Sequence, residues 1–381
     1  MRIAMDARGI NWYRGSGIGT YTDSLLCTLL NIDKENYYHI YWSGDDYDRV
    51  TNDNSRIIMT SRKHHRFFQQ SYIPGNLAKE NIDIYHVPQN GIGLCSAVNC
   101  RKVITIHDLI PYIMPETVGR GYLLKFLKEV PNILEISDGV ITVSEWSKRD
   151  ILKFFPVDEN KIFVTPLAAD IRYKPLDKNW ARYMVAKRLN IKLPFLLYVG
   201  GFSPRKNVKS LIMAFSNIIN SLSKEFVLVI AGSLKDDGNM LKELCDRLKI
   251  SSNVFFTGFV EEDFMPILYS AAEVFVYPSL YEGFGLPPLE AMSCGTPVIT
   301  SNVSSIPEIV GDAGILIDPY DTSNLVNALG TLLENEPLKL ELIDKGLNRA
   351  KLFSWEKTAE KTLEVYKKII EIDKLEIKKI G

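Results

Sequence analysis

Short runs of β-branched and aromatic residues recur along this chain, separated by segments whose apolar residues fall at helical spacing. Residues 2–6, 38–42, 56–59, 82–87, 102–106, 139–143 and 162–165 predict strands in the first half. Residues 195–199, 226–230, 254–260 and 274–276 predict strands in the second half. Between two of these, Val208, Leu211, Ile212, Phe215, Ile218 and Ile219 repeat at the spacing of one helical face. Strands alternating with helices indicate parallel sheets covered on both faces. The rhythm breaks near residues 166–175 and restarts at Phe195, which marks a boundary between two halves. Ser354 is placed to cap a last helix over 355–379. No internal repeat or low-complexity segment interrupts the pattern.

Composition changes this picture little. A length of 381 residues gives a prior of two or three domains of roughly 150 residues. Hydrophobic residues make up 46% and charged residues 24%, the balance of an ordinary soluble globular protein. A net charge of −1 supplies no field to recruit nucleic acid. Five scattered cysteines give no disulfide framework, and Cys95 and Cys100 are too far apart for a CxxC pair or a zinc site. A reduced, cytoplasmic setting is the expectation. Met1 to Met5 are followed at once by Asp6 and Arg8, so no signal peptide is expected, and no run approaches the ~20 apolar residues of a membrane span. Any meeting with a membrane is peripheral.

The chemistry concentrates in residues 277–300. The strand at 274–276 runs into a turn with Gly283 and Gly285, which leave backbone N–H groups uncovered. Pro287 and Pro288 suit the first turn of a helix. Such a helix start attracts phosphate or sugar oxygens. Glu282 precedes the turn and Glu290 follows it, and an ionised carboxylate accepts hydrogen bonds from paired sugar hydroxyls. The plain alternative is a strand-turn-helix corner with two solvated glutamates.

Glu282 and Glu290, with Gly-Phe-Gly-Leu-Pro between them, resemble the E-x7-E signature of the retaining glycosyltransferases of family 4, also called glycosyltransferase group 1. The resemblance covers nearly the whole chain. It implies a GT-B fold: two Rossmann-like, doubly wound α/β domains facing across a cleft, with a C-terminal helix crossing back to the first. The divisions implied are 1–170 for the acceptor, 171–354 for the nucleotide sugar and 355–381 for the crossing helix. In that family the first Glu lies near the donor sugar and the second binds the ribose. Carried over by position, Glu282 is the catalytic glutamate and Glu290 the nucleotide one. The backbone of Phe284, Gly285 and Leu286 holds sugar and diphosphate.

Other stretches extend the resemblance. Ser203-Pro204-Arg205-Lys206-Asn207 follows a buried strand, and Lys206 matches the family lysine at the diphosphate. The family usually writes Gly-Arg where this chain has Gly200-Gly201, and Arg205 is the candidate for the missing charge. His107, in Ile-His-Asp-Leu-Ile-Pro at a strand end, matches the family histidine at the donor sugar. Asp108 is placed to orient its ring or to bind acceptor hydroxyls. A lone histidine at a strand end is also a common structural feature. Gly17, Ile18 and Gly19 match a loop that approaches the donor, although their spacing is not the G-x-G-x-x-G of a dinucleotide fingerprint. A plain helix start fits them too. Gly232, Ser233 and Phe259 fall where the family places the nucleotide base. Residues 306–310, 311–314 and 316–319 match the family's closing strands.

The expected activity is transfer of a hexose (an EC 2.4.1 type reaction) from a nucleotide diphosphate sugar to a glycan or lipid-linked glycan in surface polysaccharide synthesis. The start Met-Asp-Ala-Arg, the Gly-Ile-Gly loop, Ile-His-Asp-Leu-Ile-Pro and Pro-Arg-Lys-Asn resemble O-antigen-type mannosyltransferases, which implies GDP-mannose. UDP-glucose or dTDP-rhamnose donors are the alternatives, as is a binding protein without catalysis. A phosphorylase would need a lysine motif for pyridoxal phosphate, and none is seen. No cofactor and no metal are expected: Asp236-Asp237 lies in a polar stretch after Ser233, away from a cleft strand end, and Lys and Arg can substitute for a cation. The basic-aromatic run Arg62 to Phe68 and the segment Tyr122 to Lys128 are candidates for peripheral contact with the inner face of a membrane, or else a solvated loop and a packed helix.

Overall fold

The computed structural model describes residues 1–233 and 236–380, with their side chains except at 236–237 and 372–380. The chain divides into two compact units, Met1–Leu167 with Ser354–Gly381, and Ala168–Phe353. Each is built on one parallel sheet.

The first sheet has strands β1 (Arg2–Asp6), β2 (Tyr37–Trp42), β3 (Ser55–Met59), β4 (Ile84–Val87), β5 (Arg101–Ile106), β6 (Gly139–Thr142) and β7 (Ile162–Val164). Their order is β3-β2-β1-β4-β5-β6-β7. The central strands are buried along their length, which is why they read as apolar runs without alternation. The last helix, Trp355–Ile380, belongs to this unit. Thr358 Oγ1 donates to Pro166 O at 2.6 Å, and a Cβ on Gly139 would stand 2.3 Å from Ile369 Cδ1. The tip of Ile369 fills the space that a side chain on β6 would take at Gly139.

The second sheet has β8 (Phe195–Val199), β9 (Val227–Ala231), β10 (Val254–Gly258), β11 (Val274–Tyr277), β12 (Val298–Ser301) and β13 (Gly314–Ile317). Its order is β10-β9-β8-β11-β12-β13. Both sheets reverse direction once, between β1 and β4 and between β8 and β11. In open α/β sheets, ligands bind at the carboxyl ends of the strands beside such a reversal.

Two local expectations are corrected. Residues 306–310 form a helix, Ile306–Val310, rather than a closing strand. Ile306, Ile309 and Val310 are its buried residues, a helical spacing, and Pro307 sits in its first turn. Asp236 opens the helix Asp236–Arg247 rather than a loop. The side chains of Asp236 and Asp237 lie outside the described residues.

Candidate active site

In the second unit two loops meet at the reversal between β8 and β11. After β8, Gly200 takes φ +151°, and Pro204–Lys206 forms one 3-10 turn. Asn207 then adopts a left-handed φ of 55° and starts the helix Val208–Ile218. After β11 the chain passes Ser279 and Glu282 to Gly285, at φ +121°, and enters the helix Leu286–Ser293. The backbone angle calls for glycine there, and the tip of Ile306, 2.7 Å from where a Cβ would stand, fills the space beside it. Leu280 N donates to Arg205 O at 2.8 Å and fastens the loops together.

This fastening brings Arg205, Lys206 and Glu282 together. Lys206 Nζ donates to Glu282 Oε1 at 2.7 Å, and Arg205 Nη1 lies 2.8 Å from the same oxygen. Tyr277 Oη donates to it at 2.9 Å, and Ser279 Oγ also donates to it. Burial alone would raise the Glu282 carboxyl, but Lys206 and then Arg205 outweigh it and hold the group down at about 2. The cluster brings two cations to one carboxylate oxygen. Ser305 Oγ donates to the carbonyls of Glu282 (2.9 Å) and Phe284 (2.7 Å). Those carbonyls are thereby occupied, while the N–H groups of Phe284, Gly285 and Leu286 find no acceptor among the described residues.

Glu290, one turn into the helix, stands in different surroundings. Tyr269 Oη donates to its Oε2 at 2.9 Å, and Tyr173 is a second hydroxyl partner. The charges that act on it most are the carboxylates of Asp170 and Glu262. Burial pushes its carboxyl up to about 7, against the pull of the two tyrosines.

The proposed base contacts are less uniform. Gly232 N donates to Gly258 O at 3.0 Å, and a Cβ there would lie 2.0 Å from Gly200 O. Gly232 is therefore a packing glycine between three loops, and its N–H is already used. Ser233 is exposed, and Phe259 is 75% exposed.

In the first unit, His107 follows β5 and is buried. Its Nε2 lies 2.9 Å from Pro88 O, and its backbone N donates to Asn90 Oδ1 at 2.8 Å. A carbonyl can only accept, so Nε2 carries the proton and Nδ1 keeps its lone pair. Burial pulls the imidazole down to about 4, so it is neutral at physiological pH. Tyr21 packs edge-on against it, ring centroids 4.8 Å apart. Tyr21 belongs to the helix Gly17–Ile32, which is capped by Ser16 and starts with Gly17, Ile18 and Gly19. The helix start is thus tied to His107. A Cβ on Gly19 would meet Tyr13 O at 2.5 Å, a packing reason for that glycine. Asp108 Oδ1 accepts from Ile110 N at 3.0 Å. Sequence reasoning missed Tyr21, Tyr277 and Ser279; only Tyr277 gave a signal, as an aromatic end to a strand beside the glycine turn.

Comparison with known proteins identifies the family and the fold. Residues 182–349 match the model of the glycosyl transferases group 1, and residues 17–173 match glycosyltransferase family 4. The O-antigen chain mannosyltransferase B of Escherichia coli is 34% identical over 267 residues, 70% of each chain. The serotype-specific mannosyltransferase WbdA of Escherichia coli is 28% identical over 279 residues, covering 72% of this chain and 34% of that one. The solved structure of sucrose-phosphate synthase from Thermosynechococcus elongatus superimposes with a TM-score of 0.77 at 23% identity, over 98% of this chain and 100% of that one. Two Rossmann-like units, the joined Glu282–Lys206–Arg205 cluster and these matches lead to one conclusion: the chain belongs to glycosyltransferase group 1, family 4, and is a GT-B glycosyltransferase.

Proposed function

We propose that this glycosyltransferase moves mannose from GDP-mannose to a glycan or lipid-linked glycan in surface polysaccharide synthesis, with retention at the anomeric carbon. The observation that carries the reading is the meeting of two cations, Lys206 and Arg205, at Glu282, beside the backbone N–H groups of Phe284, Gly285 and Leu286, which find no acceptor among the described residues. A diphosphate fits there, and preorganised donors of this kind stabilise charge as it grows on a leaving group. The mannose preference is supported by the relatives named as mannosyltransferases.

In this reading the acceptor hydroxyl attacks C1 of the donor sugar while the bond from C1 to the phosphate oxygen breaks. The departing phosphate takes the acceptor's proton on the same face. Lys206 and Arg205 turn toward the diphosphate, and Glu282 then accepts from a sugar hydroxyl. Glu290 accepts from the ribose, and Ser233 and Phe259 flank the base. Neutral His107 offers the Nδ1 lone pair to a sugar hydroxyl. The two cations do the work that a metal ion does in other transferases.

A peripheral membrane contact fits a lipid-linked acceptor. Phe67 and Leu124 are more than half exposed, and Arg62, Lys63, Arg66, Lys125 and Lys128 stand in the same segments. Among the described residues no helix is long and apolar enough to cross a membrane. Co-sedimentation with anionic vesicles and not with neutral ones is the expected result.

The donor is tested by incubating the protein separately with GDP-mannose, UDP-glucose and dTDP-rhamnose and measuring released nucleotide diphosphate. GDP release alone is expected, with thermal stabilisation by GDP of about 2.7 kcal/mol at a hundredfold excess over Kd. Stabilisation by UDP without GDP would reject the mannose donor. An inverted product by NMR would reject retention.

A further inference from the structure

In the first unit a row of polar side chains leads from the last helix to His107. β4 and β5 are neighbours in the sheet. Alternate residues along a strand point to one face, so Thr105 in β5 and His107 just past it share a face. Tyr21, from the helix Gly17–Ile32, touches both. The last helix, Trp355–Ile380, packs on that same helix.

Tyr366, His86, Thr105 and Tyr21 are all fully enclosed. Tyr366 Oη lies 2.7 Å from His86 Nδ1, and His86 Nε2 lies 2.8 Å from Thr105 Oγ1. Thr105 Oγ1 in turn lies 3.1 Å from Tyr21 Oη. Burial pulls the His86 imidazole down to about 3, and the nearby His107 adds to the pull, so the ring is neutral. A neutral imidazole has one donor and one acceptor. Tyr366 Oη has no second partner among the described residues, and accepting from His86 would leave its own proton unmatched. It therefore donates to Nδ1, and Nε2–H donates to Thr105. The Thr105 hydroxyl is then free to donate to Tyr21. Hydrogen bonds that run one way polarise and strengthen one another. At the end of the row the Tyr21 ring stands nearly perpendicular to the His107 ring, at 86°.

We infer that Tyr21 is a positioning residue for His107, held in place by Tyr366 of the last helix through His86 and Thr105. The inference rests on the reading that His107 meets the donor sugar. The bond from His107 Nε2 to Pro88 O is a single pivot, about which the imidazole can still turn. The Tyr21 ring supplies the second restraint, and Nδ1 then keeps one direction. Stability alone does not call for a polar row here. Apolar groups of the same shape can replace a buried hydrogen-bonded pair at little cost. What a satisfied buried network adds is one fixed arrangement. Its hydroxyl sets how deep the Tyr21 ring lies, and Thr105 and His86 carry that setting to a helix far away in sequence.

The test uses the whole chain, with GDP-mannose as donor for kcat and GDP for calorimetry. Tyr21→Leu removes ring and hydroxyl; Tyr21→Phe and Tyr366→Phe keep the rings and cut the row. A displaced catalytic group loses rate steeply, so Tyr21→Leu should lower kcat by about tenfold or more and the two Phe variants by about threefold to tenfold. GDP affinity should stay unchanged, because the phosphate grip belongs to the second unit. The His107 ring is followed by proton–carbon NMR, its signal among the five histidines assigned with His107→Gln. Tyr366→Phe should move that signal, a reading that needs no donor. Ile162→Val, a core change elsewhere in the unit, should lower Tm and leave both kcat and the signal as they are. Normal kcat in Tyr21→Leu would overturn the inference. So would a His107 signal unmoved by Tyr366→Phe, or a kcat that follows Tm through Ile162→Val as well. The parent reading is checked separately by His107→Ala. Normal turnover in that variant rejects the reading of His107 itself. Lost turnover there, with normal turnover in the Tyr21 and Tyr366 variants, rejects only the positioning row.

Discussion

The same sheet reversal is furnished differently in the two units. Between β8 and β11, one carboxylate, Glu282, faces two cations whose side chains keep about 14–15% exposure. Between β1 and β4, one carboxylate, Asp6, faces one cation, Arg8, and both are enclosed completely. The first arrangement sets two cations on one carboxylate; the second sets one on one. Topology thus locates both places, while the count of charges separates them. Accessibility differs as well: Lys206 and Arg205 can reach a ligand by turning, whereas Arg8 is fixed at two of its three nitrogens.

The largest effect should come from breaking the enclosed pair. Asp6→Asn leaves the Arg8 charge buried and unpaired, and removing one partner of a buried pair costs about 3–5 kcal/mol. Glu282→Gln should cost only about 1–2 kcal/mol of unfolding free energy, because Lys206 and Arg205 repel each other but keep some solvent. Urea denaturation of both variants measures the contrast, and equal losses would remove the distinction between a closed and an open pair. Next comes Lys206→Ala. It should lower kcat by about 10²–10³-fold, since its charge is needed most as the diphosphate departs. A normal kcat with a raised KM would mean that Lys206 only holds the ground state.

Much of this architecture was legible in the sequence for a physical reason. Strands buried on both faces must be apolar throughout, so β1, β5, β8 and β9 stand out as runs. The helix Ile306–Val310 did not stand out, because five residues with three apolar positions fit either period. Glu282, Lys206 and Arg205 could be named from motifs, but their meeting at one oxygen could not, since 76 residues separate Lys206 from Glu282. Gly232 looked like a place for a ligand, and its tightest neighbour is the Gly200 carbonyl. The row from Tyr366 to Tyr21 left no signal, because hydrogen bonds between side chains 280 and 84 residues apart are a property of the packed fold.

Glu290 sharpens the comparison from the other end of the turn. Glu290→Ala should weaken nucleotide diphosphate binding by about 1.5–3 kcal/mol, the worth of hydrogen bonds to a charged group. Calorimetry of GDP binding decides it. Unchanged affinity would take Glu290 out of the nucleotide site and leave the Lys206–Glu282 cluster as the whole of the anion grip.

The smallest effect is in pH, and the two glutamates should give it opposite signs. Glu290 has its carboxyl pushed up from 4.5 to about 7. Between these values the folded chain holds a proton there that the unfolded chain has released. The folded state is therefore favoured below 4.5, and this contribution is lost as pH rises through about 7. Glu282 is held down at about 2, so its contribution is present above 4.5 and is lost as pH falls through about 2. Between pH 5.5 and 7.5 only Glu290 titrates of the two, and since its edge reaches solvent the change should be about 1–2 kcal/mol. Glu290→Gln should remove this decline, making the variant more stable than the unaltered chain at pH 7.5 and less favoured against it at pH 5.5. Urea midpoints at the two pH values, measured on both proteins, test the assignment. Parallel pH profiles would show that the tyrosine pocket leaves Glu290 an ordinary carboxylate, and the contrast with Glu282 would then be one of charge partners alone.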